Sequence, residues 1–199
     1  MSSPTVPIRQ ATGADAEPLI ALLSESFFGD ALTVWAFPDP DRRRQILPDM
    51  FRAFFELSLS QGGVFTTDDH EAVVLSAPPG AGEPGEEFAE RLREIAGEYA
   101  DALMTIVDLQ DAHHPASPRH LYLGFGAVAA HRQRTGLGAE LMRHVLESCD
   151  RDGTPAYLEA SSAGGEALSR GFGFEPHGPE IFIPGGPGLR PMWRDPYEV

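Results

Sequence analysis

The chain has 199 residues, of which 42% are hydrophobic and 23% are charged. A chain of this length and composition can bury a substantial core, so we expect one globular domain over residues 1–199 rather than a disordered protein. Its formal net charge of −15 comes from 30 acidic residues against 15 arginines, with no lysine. Such a charge argues against binding to nucleic acid, and is compatible with a cationic partner or simply with solubility.

The sequence lacks the patterns typical of membrane, secreted and metal-binding proteins. No apolar run reaches the ~18 residues of a membrane helix, and residues 1–4 have neither the basic nor the apolar part of a secretion signal. Cys149 is the only cysteine, so no internal disulfide can form and we expect a cytoplasmic protein. His113 and His114 are adjacent, which is poor spacing for metal ligands, so we predict no metal.

Apolar spacing predicts four elements in the first part of the chain: a strand at 5–9, a helix at 15–27, a second helix over 46–57, and a hairpin of 64–66 with 71–75. Pro7 favours a sheet edge for the first strand. Asp15 is expected to cap the first helix. Pro48 is expected to kink the second helix or to begin its regular part.

The segments around these elements have distinct compositions. Residues 35–40 form a predicted aromatic loop, and the basic run 42–44 is interpreted as a solvated face. The Pro- and Gly-rich stretch 77–85 is expected to be a surface loop. Apolar residues between 88 and 106 recur at spacings of three, four and seven, which predicts a third helix.

The C-terminal part is richer in strands. The predicted elements are a strand at 120–128, a long helix ending at Gly153, a strand at 156–160, a short helix at 166–171, and strands beginning at 172, 181 and 191. Strands alternate with helices early and follow one another late. This order predicts a mixed α/β fold in which helices cover both faces of a central sheet.

The loop between the 120–128 strand and the long helix has the composition of an anion site. The free N–H groups and the dipole of a helix start attract an anion, and Gly136 and Gly138 would let it approach the backbone. Arg132 and Arg134 add positive charge. A tight turn without a ligand is the alternative. The loop lacks the third glycine of the dinucleotide fingerprint and the Gly-Lys-Ser/Thr of a phosphate loop.

The remaining pattern, Gln133-x-x-Gly136-x-Gly138, resembles the acetyl-CoA signature of the GNAT superfamily of N-acetyltransferases. Four further segments stand in the order expected for the branch that includes puromycin N-acetyltransferase: 120–123, 157–161, 173–175 and 191–194. A weaker likeness extends to Phe37-Pro38-Asp39 and His114-Pro115.

This resemblance implies a mostly antiparallel sheet with one splayed parallel pair, formed by the strand ending at Val128 and the strand at 156–160. It implies acetyl-CoA as cosubstrate, with its pantetheine arm on the backbone of Ala127 and Val128. The residues expected to hold the pyrophosphate are Gln133, Arg134, Thr135, Gly136, Leu137, Gly138 and Ala139. Gly124 and Gly126 suit a bulge in the strand, or are ordinary strand glycines.

The resemblance also implies direct transfer of the acetyl group to an amine, which requires a base for the amine. Glu159 is the first candidate, with a structural carboxylate as the alternative. His120 has suitable chemistry, although a structural histidine is the other interpretation. Many relatives have a proton-donating tyrosine where this chain has Ser169. The serine acts through water or not at all, which leaves open a protein that binds acyl-CoA without catalysis.

The acceptor is expected to be a small-molecule amine, antibiotic-like by resemblance. Trp35 and Phe37 are candidates for substrate contact or for packing under a loop, and Tyr122 for a pocket wall or the core. Acetylation of a protein or peptide amine is a further alternative. The sequence leaves a homodimer open.

Overall fold

The computed structural model describes residues 6–82 and 84–197. The helices in chain order are α1 (Ala16–Phe27), α2 (Ala31–Ala36), α3 (Pro40–Ser60), α4 (Glu86–Ala96), α5 (Ala100–His113), α6 (Leu137–Asp152) and α7 (Ala163–Arg170). The strands are β1 (Ile8–Gln10), β2 (Val64–Thr67), β3 (Ala72–Ala77), β4 (Leu121–Val128), β5 (Ala156–Ala160), β6 (Glu175–Pro176), β7 (Ile181–Phe182) and β8 (Gly188–Arg194).

The strands form one sheet in the order β1-β2-β3-β4-β5-β8-β6, and β7 pairs with β8. Within the described residues, β4 and β5 are the parallel pair and the other pairs are antiparallel. The predicted mixed α/β fold with a splayed parallel pair is therefore confirmed. β1 lies at the sheet edge, as Pro7 suggested, although the strand begins at Ile8 and Thr5 lies outside the described residues.

Side chains along a strand alternate between the two faces of the sheet, so apolar residues lie on both faces and helices cover each of them. Leu121 and Leu123 of β4 pack with the apolar face of α6. The other face packs against α1, α3, α4 and α5, whose apolar residues form a second buried cluster. Among the described residues, no helix combines the length and hydropathy needed to cross a bilayer.

Of the predictions on the first helices, one was wrong and another holds only in part. Asp15 occupies the N-cap position of α1 but does not cap it, since its carboxylate bonds to Thr12 and to the guanidinium of Arg9 at 2.8 and 2.9 Å. The predicted aromatic loop at 35–40 is a loop only over residues 37–39, since Trp35 and Ala36 end α2 and Pro40 begins α3. The helix α2 was not predicted, and it starts here because Asp30 accepts hydrogen bonds from the amides of Leu32 and Thr33.

Two helical boundaries also differ from the prediction. α3 begins at Pro40 and continues through Pro48, so this proline does not begin its regular part. The predicted third helix is split into α4 and α5 because Gly97 takes a left-handed φ of 57° and ends α4. Nearer the C-terminus, residues 171–173 form a turn, and the strand predicted to begin at 172 starts only at Glu175.

The basic run 42–44 is only partly solvated. Arg43 is buried, and its Nη1 donates a hydrogen bond of 2.7 Å to the carbonyl oxygen of Phe37. Its guanidinium also lies over the ring of Phe28, at 4.6 Å from the centroid. One arginine of this run therefore joins α3 to the end of α2.

Candidate functional site

The parallel strands β4 and β5 are joined only at one end. Leu121 lies opposite Ala156 and Tyr122 opposite Tyr157, and in the described sheet these are the two register pairs between the strands. Beyond them β4 continues to Val128 and β5 to Ala160. The facing edges therefore have backbone N–H and C=O groups that an extended ligand can bind as a strand partner would. We call this gap, between residues 123–128 and 158–160, the splay.

A bulge in β4 lies beside the splay. In the register with β3, Leu75 is opposite Phe125 and Ser76 is opposite Leu123, so Gly124 is the extra residue. The bulge reverses the alternation of side chains along β4. Leu123 packs on the α6 side, whereas Phe125 packs against phenylalanine rings of α1 and α3. Of the two interpretations of this glycine, the bulge is the correct one.

The splay leads to the start of α6. Gly136 is the N-cap residue with a left-handed φ of 96°, and Arg134 also has a positive φ of 61°. The side-chain amide of Gln133 donates to the carbonyl oxygen of Val128 at 3.1 Å, which holds this loop at the end of β4. The first-turn amides of α6 have no acceptor within the helix. A Cβ at Gly136 would meet no atom within 4 Å, so this glycine borders open space.

Gly138 has a different role from the one expected. A Cβ there would lie 3.1 Å from Cγ2 of Val128, so its small size allows α6 to pack closely on β4. The ligand-approach argument from the sequence therefore applies to Gly136 and not to Gly138.

The two arginines of the loop are also unequal. Arg132 pairs with Glu71 and, at 3.3 Å, with Asp69, both in the turn between β2 and β3. Arg134 is exposed and has no ion pair among the described residues. The positive charge available to an anion beside the α6 amides is therefore that of Arg134.

A carboxylate lies on β5, which flanks the splay. Glu159 Oε2 accepts hydrogen bonds from the Tyr122 hydroxyl at 2.8 Å and from the Gln110 side chain at 3.3 Å. Its other oxygen, Oε1, is buried with no partner among the described residues, as is the Tyr157 hydroxyl. Burial raises the pKa of Glu159 above its ordinary value, and the hydrogen bond from Tyr122 opposes that rise.

The same burial affects the two tyrosines. It raises the pKa of Tyr122 and of Tyr157, and the negative charge of Glu159 adds to both shifts. Both phenols therefore stay protonated, and that of Tyr122 donates its hydrogen bond to Glu159. This corner of the site thus has one carboxylate oxygen occupied by donors and one that can receive a proton.

Solved structures with a similar fold are acetyltransferases. One from Corynebacterium glutamicum, described as histone acetyltransferase HPA2 and related acetyltransferase, is 24% identical, with 98% of each chain covered and a TM-score of 0.68. An arylalkylamine N-acetyltransferase from Aedes aegypti is 16% identical, covering 96% and 98%, with a TM-score of 0.66. A polyamine N-acetyltransferase from Drosophila melanogaster is 17% identical, covering 96% and 99%, with a TM-score of 0.67.

This chain has the GNAT fold. No family model matches the sequence. At these identities the comparison establishes the architecture, and the roles of individual residues rest on the geometry of this chain.

The contacts of His120 favour the interpretation of this candidate base as a structural histidine. Its Nδ1 lies 2.9 Å from the carbonyl oxygen of Pro118 and so carries the hydrogen. Its Nε2 lies 3.0 Å from Nε2 of His114, and in the neutral ring it accepts a hydrogen from there. Both nitrogens are engaged, and the ring packs against Tyr157 and Trp193. Within 6–82 and 84–197, no three His, Cys, Asp or Glu residues are grouped to hold a metal.

Ser169 lies near the end of α7 with its side chain buried. Its hydroxyl donates a hydrogen bond of 2.9 Å to the carbonyl oxygen of Gly165, one turn earlier in the helix. The proton of Ser169 is therefore engaged by the helix backbone, which favours the interpretation that this residue does not act as an acid.

The two aromatic candidates from the sequence differ in exposure. Phe37 is buried in the core and contacts Tyr99 edge-on, so packing is the interpretation that the structure favours. Trp35 is partly exposed at the end of α2, and Gly186 passes so close that a Cβ there would lie 2.9 Å from the indole Nε1. Their contact with a substrate stays a prediction.

Three residues of the site were not predicted from the sequence. Gln110, Tyr157 and Asp30 were not named as site residues, yet Gln110 donates a hydrogen bond to Glu159 and Tyr157 lies close enough to lower its pKa. Asp30 accepts a hydrogen bond of 3.0 Å from Ser161 and so ties the α1–α2 junction to the end of β5. Tyr157 and Ser161 stand beside Glu159 in the 157–161 segment and were open to inference. No local pattern marks Gln110.

Proposed function

We propose that the chain is an acetyl-CoA-dependent N-acetyltransferase that acts on a small-molecule amine. The observation that carries this proposal is the splay itself. It is an unpaired strand edge that leads at one end to the exposed amides of α6 and is flanked by the carboxylate of Glu159. An extended cosubstrate with a diphosphate at one end and a reactive group at the other matches this arrangement.

The residues present fit acetyl-CoA. The backbone of Ala127 and Val128 lies on the open edge of β4 and would bind the pantetheine arm. The loop and first turn of α6 would hold the diphosphate through amides and the side chain of Arg134, over Gln133, Thr135, Gly136, Leu137, Gly138 and Ala139. When bound, acetyl-CoA supplies a thioester carbonyl for attack.

Glu159 is the proposed general base. Its Oε1 accepts a proton from the substrate ammonium, directly or through one water, while Tyr122 holds Oε2. The raised pKa makes this carboxylate a stronger base than an ordinary glutamate. The neutral amine nitrogen then bonds to the carbonyl carbon, the C–S bond breaks, and the nitrogen loses its second proton to solvent to leave the neutral amide. The thiolate takes its proton from solvent because the Ser169 hydroxyl is engaged.

The acceptor class rests on charge and on the likeness to other proteins. Structural neighbours include enzymes named for polyamines, agmatine and arylalkylamines. The sequence resemblance to the puromycin N-acetyltransferase branch adds an antibiotic-like amine. The net charge of −15 favours any cationic acceptor. Trp35 and Tyr122 are the proposed wall of its pocket, whereas the buried Phe37 is assigned to packing.

A non-catalytic acyl-CoA-binding module is the second candidate. It is favoured by one observation, that Ser169 stands where many relatives have an acidic tyrosine and that its hydroxyl is engaged. Loss of one acid costs about 10²–10⁴-fold in rate rather than all activity, so catalysis remains the first proposal. Acetylation of a peptide is kept as an outcome of the test, since one neighbour is named for histone acetylation.

The test measures CoA binding and thiol release separately. Calorimetry with CoA comes first, followed by incubation with acetyl-CoA and agmatine, a polyamine, an arylalkylamine, puromycin or a lysine peptide. Release of free thiol with a small amine supports the proposal, and Glu159→Gln should lower that rate about 10²–10⁴-fold with CoA binding kept. Binding without turnover of any amine favours the module, and absence of CoA binding refutes both.

A further inference from the structure

The loop that precedes α6 is tied to the turn between β2 and β3 by a group of charged side chains. Glu71 binds His131 Nε2 at 2.7 Å through one carboxylate oxygen and Arg132 through the other. Asp69 adds a second contact to Arg132 at 3.3 Å. We call Asp69, Glu71, His131 and Arg132 the carboxylate brace.

Backbone contacts reinforce the brace. The carbonyl oxygen of Glu71 accepts a hydrogen bond of 2.8 Å from the amide of Ala129, and the amide of Arg132 donates one of the same length back to Ala129. Residues 129–132 are thus bonded to the hairpin through both main chain and side chains. Arg132 and Glu71 have side chains only 29% and 24% exposed, so their ion pair is less screened than a surface pair.

The brace lies directly before a strained part of the loop. Arg134 has a left-handed φ of 61°, which is unfavourable for a residue with a Cβ, and Gly136 follows at 96°. Such a conformation persists when its surroundings determine it, and it is common where backbone groups are presented to a ligand. Arg134 itself has no ion pair among the described residues, so the fixed point next to it is Arg132.

Two carboxylates close to a proposed diphosphate site need an explanation, because they would repel the ligand. Here both carboxylates are bound by Arg132, and Glu71 is also bound by His131. The carboxylates therefore hold the loop in place instead of presenting an unpaired negative charge to the ligand. We infer that Glu71, assisted by Asp69, is a positioning residue for the cosubstrate, which holds the 129–136 loop so that the α6 amides stay presented. This inference rests on the proposed function, in which that loop binds the diphosphate of acetyl-CoA.

The alternative is that Arg132 leaves the brace and binds the diphosphate directly. Calorimetry of the full chain with CoA, for Glu71→Gln, Arg132→Gln and the double variant, separates the two. If the brace positions the loop, each single variant lowers the affinity for CoA about ten-fold. The double variant then has the same affinity as either single variant, since the two substitutions remove the same ion pair. If Arg132 binds the ligand, Arg132→Gln lowers the affinity for CoA while Glu71→Gln leaves that affinity unchanged or raises it. This result overturns the inference.

Controls separate positioning from general loss of structure. Glu56→Gln removes an ion pair that does not involve the hairpin, the one between Glu56 of α3 and Arg91 of α4 at 2.8 Å. This variant should leave the affinity for CoA unchanged. Asp69→Asn, which keeps the Glu71 contacts, provides a milder variant should Glu71→Gln unfold, and should weaken CoA by a smaller factor. Equal CoA affinity in wild type, Glu71→Gln and Asp69→Asn overturns the inference.

Kinetics supply a readout that a purely structural role would not give. With the amine that wild type acetylates, Glu71→Gln should raise KM for acetyl-CoA about ten-fold and leave kcat near its original value. Acetyl-pantetheine lacks the diphosphate, so its turnover should be the same in wild type and variant. Failure of wild type to bind CoA refutes the proposed function and this inference together, whereas normal binding with unaffected variants refutes the inference alone.

Discussion

Two glycines at opposite ends of α6 allow the diphosphate site to be tested against its own control. Gly136 precedes the helix with a φ of 96°, and Gly153 follows it with a φ of 64°. A Cβ at either position would meet no atom within 4 Å. Alanine at either end therefore adds left-handed strain without a clash, at a cost of about 1–2 kcal/mol in the free energy of unfolding.

The two variants should be equally destabilised but should differ in CoA binding. For a chain of this size each kilocalorie lowers Tm by about 2–4 °C, so Gly136→Ala and Gly153→Ala should each melt about 2–8 °C below wild type. The new methyl group at residue 136 would occupy the space through which the diphosphate reaches the amides. By calorimetry, we expect Gly136→Ala to lower the affinity for CoA ten-fold or more. Gly153→Ala should bind CoA with the affinity of wild type.

Either of two results would refute this reasoning. Wild-type CoA affinity in Gly136→Ala, with its Tm lowered as expected, would mean that the diphosphate does not lie against the start of α6. An equal loss of affinity in Gly153→Ala would mean that the effect comes from the stability of α6 and not from its N-terminal amides.

Three further predictions concern other parts of the structure. Tyr122→Phe removes a hydrogen bond that lowers the pKa of Glu159, so the acid limb of the pH profile of kcat/KM should move to higher pH. Ser169→Ala should change kcat by less than about three-fold, whereas loss of a true catalytic acid would cost about 10²–10⁴-fold. The bond from Arg9 holds the pKa of Asp15 well below its usual range. The ionised Asp15 therefore stabilises the folded state above its unfolded pKa of about 4, and this stabilisation is lost as the pH falls. In urea unfolding, Asp15→Asn should lower the free energy of unfolding by about 2 kcal/mol at pH 7, and the difference from wild type should shrink below pH 4.

Local patterns were sufficient for most of the elements around the site. The run 120–128, the loop after it and the apolar spacing up to Cys149 predicted the β4-loop-α6 unit, because these patterns involve neighbours along the chain. The bulge at Gly124 was one of two interpretations, and the register with β3 decided it. The break at Gly97 was missed because apolar spacing continues across it, and only the backbone conformation separates α4 from α5.

Side-chain partners from distant segments were the part that sequence reasoning missed. Asp15 was expected at a helix cap, but Arg9 and His70 surround its carboxylate. Arg132 was expected beside an anion, but Glu71 binds it across 61 residues of chain. Neither outcome has a local pattern, because the competing partner is brought close by the sheet and not by the sequence spacing.

The sequence by itself determined that a glycine-bearing turn joins a buried strand to an amphipathic helix, since backbone freedom and apolar periodicity are properties of neighbouring residues. Tertiary structure decided that β4 and β5 separate after two pairs, that Tyr122 and Gln110 meet Glu159 on one oxygen, and that the carboxylate brace holds the loop. These contacts depend on how strands and helices pack across the chain. Burial and hydrogen bonding, which set the basicity of Glu159, exist only after that packing.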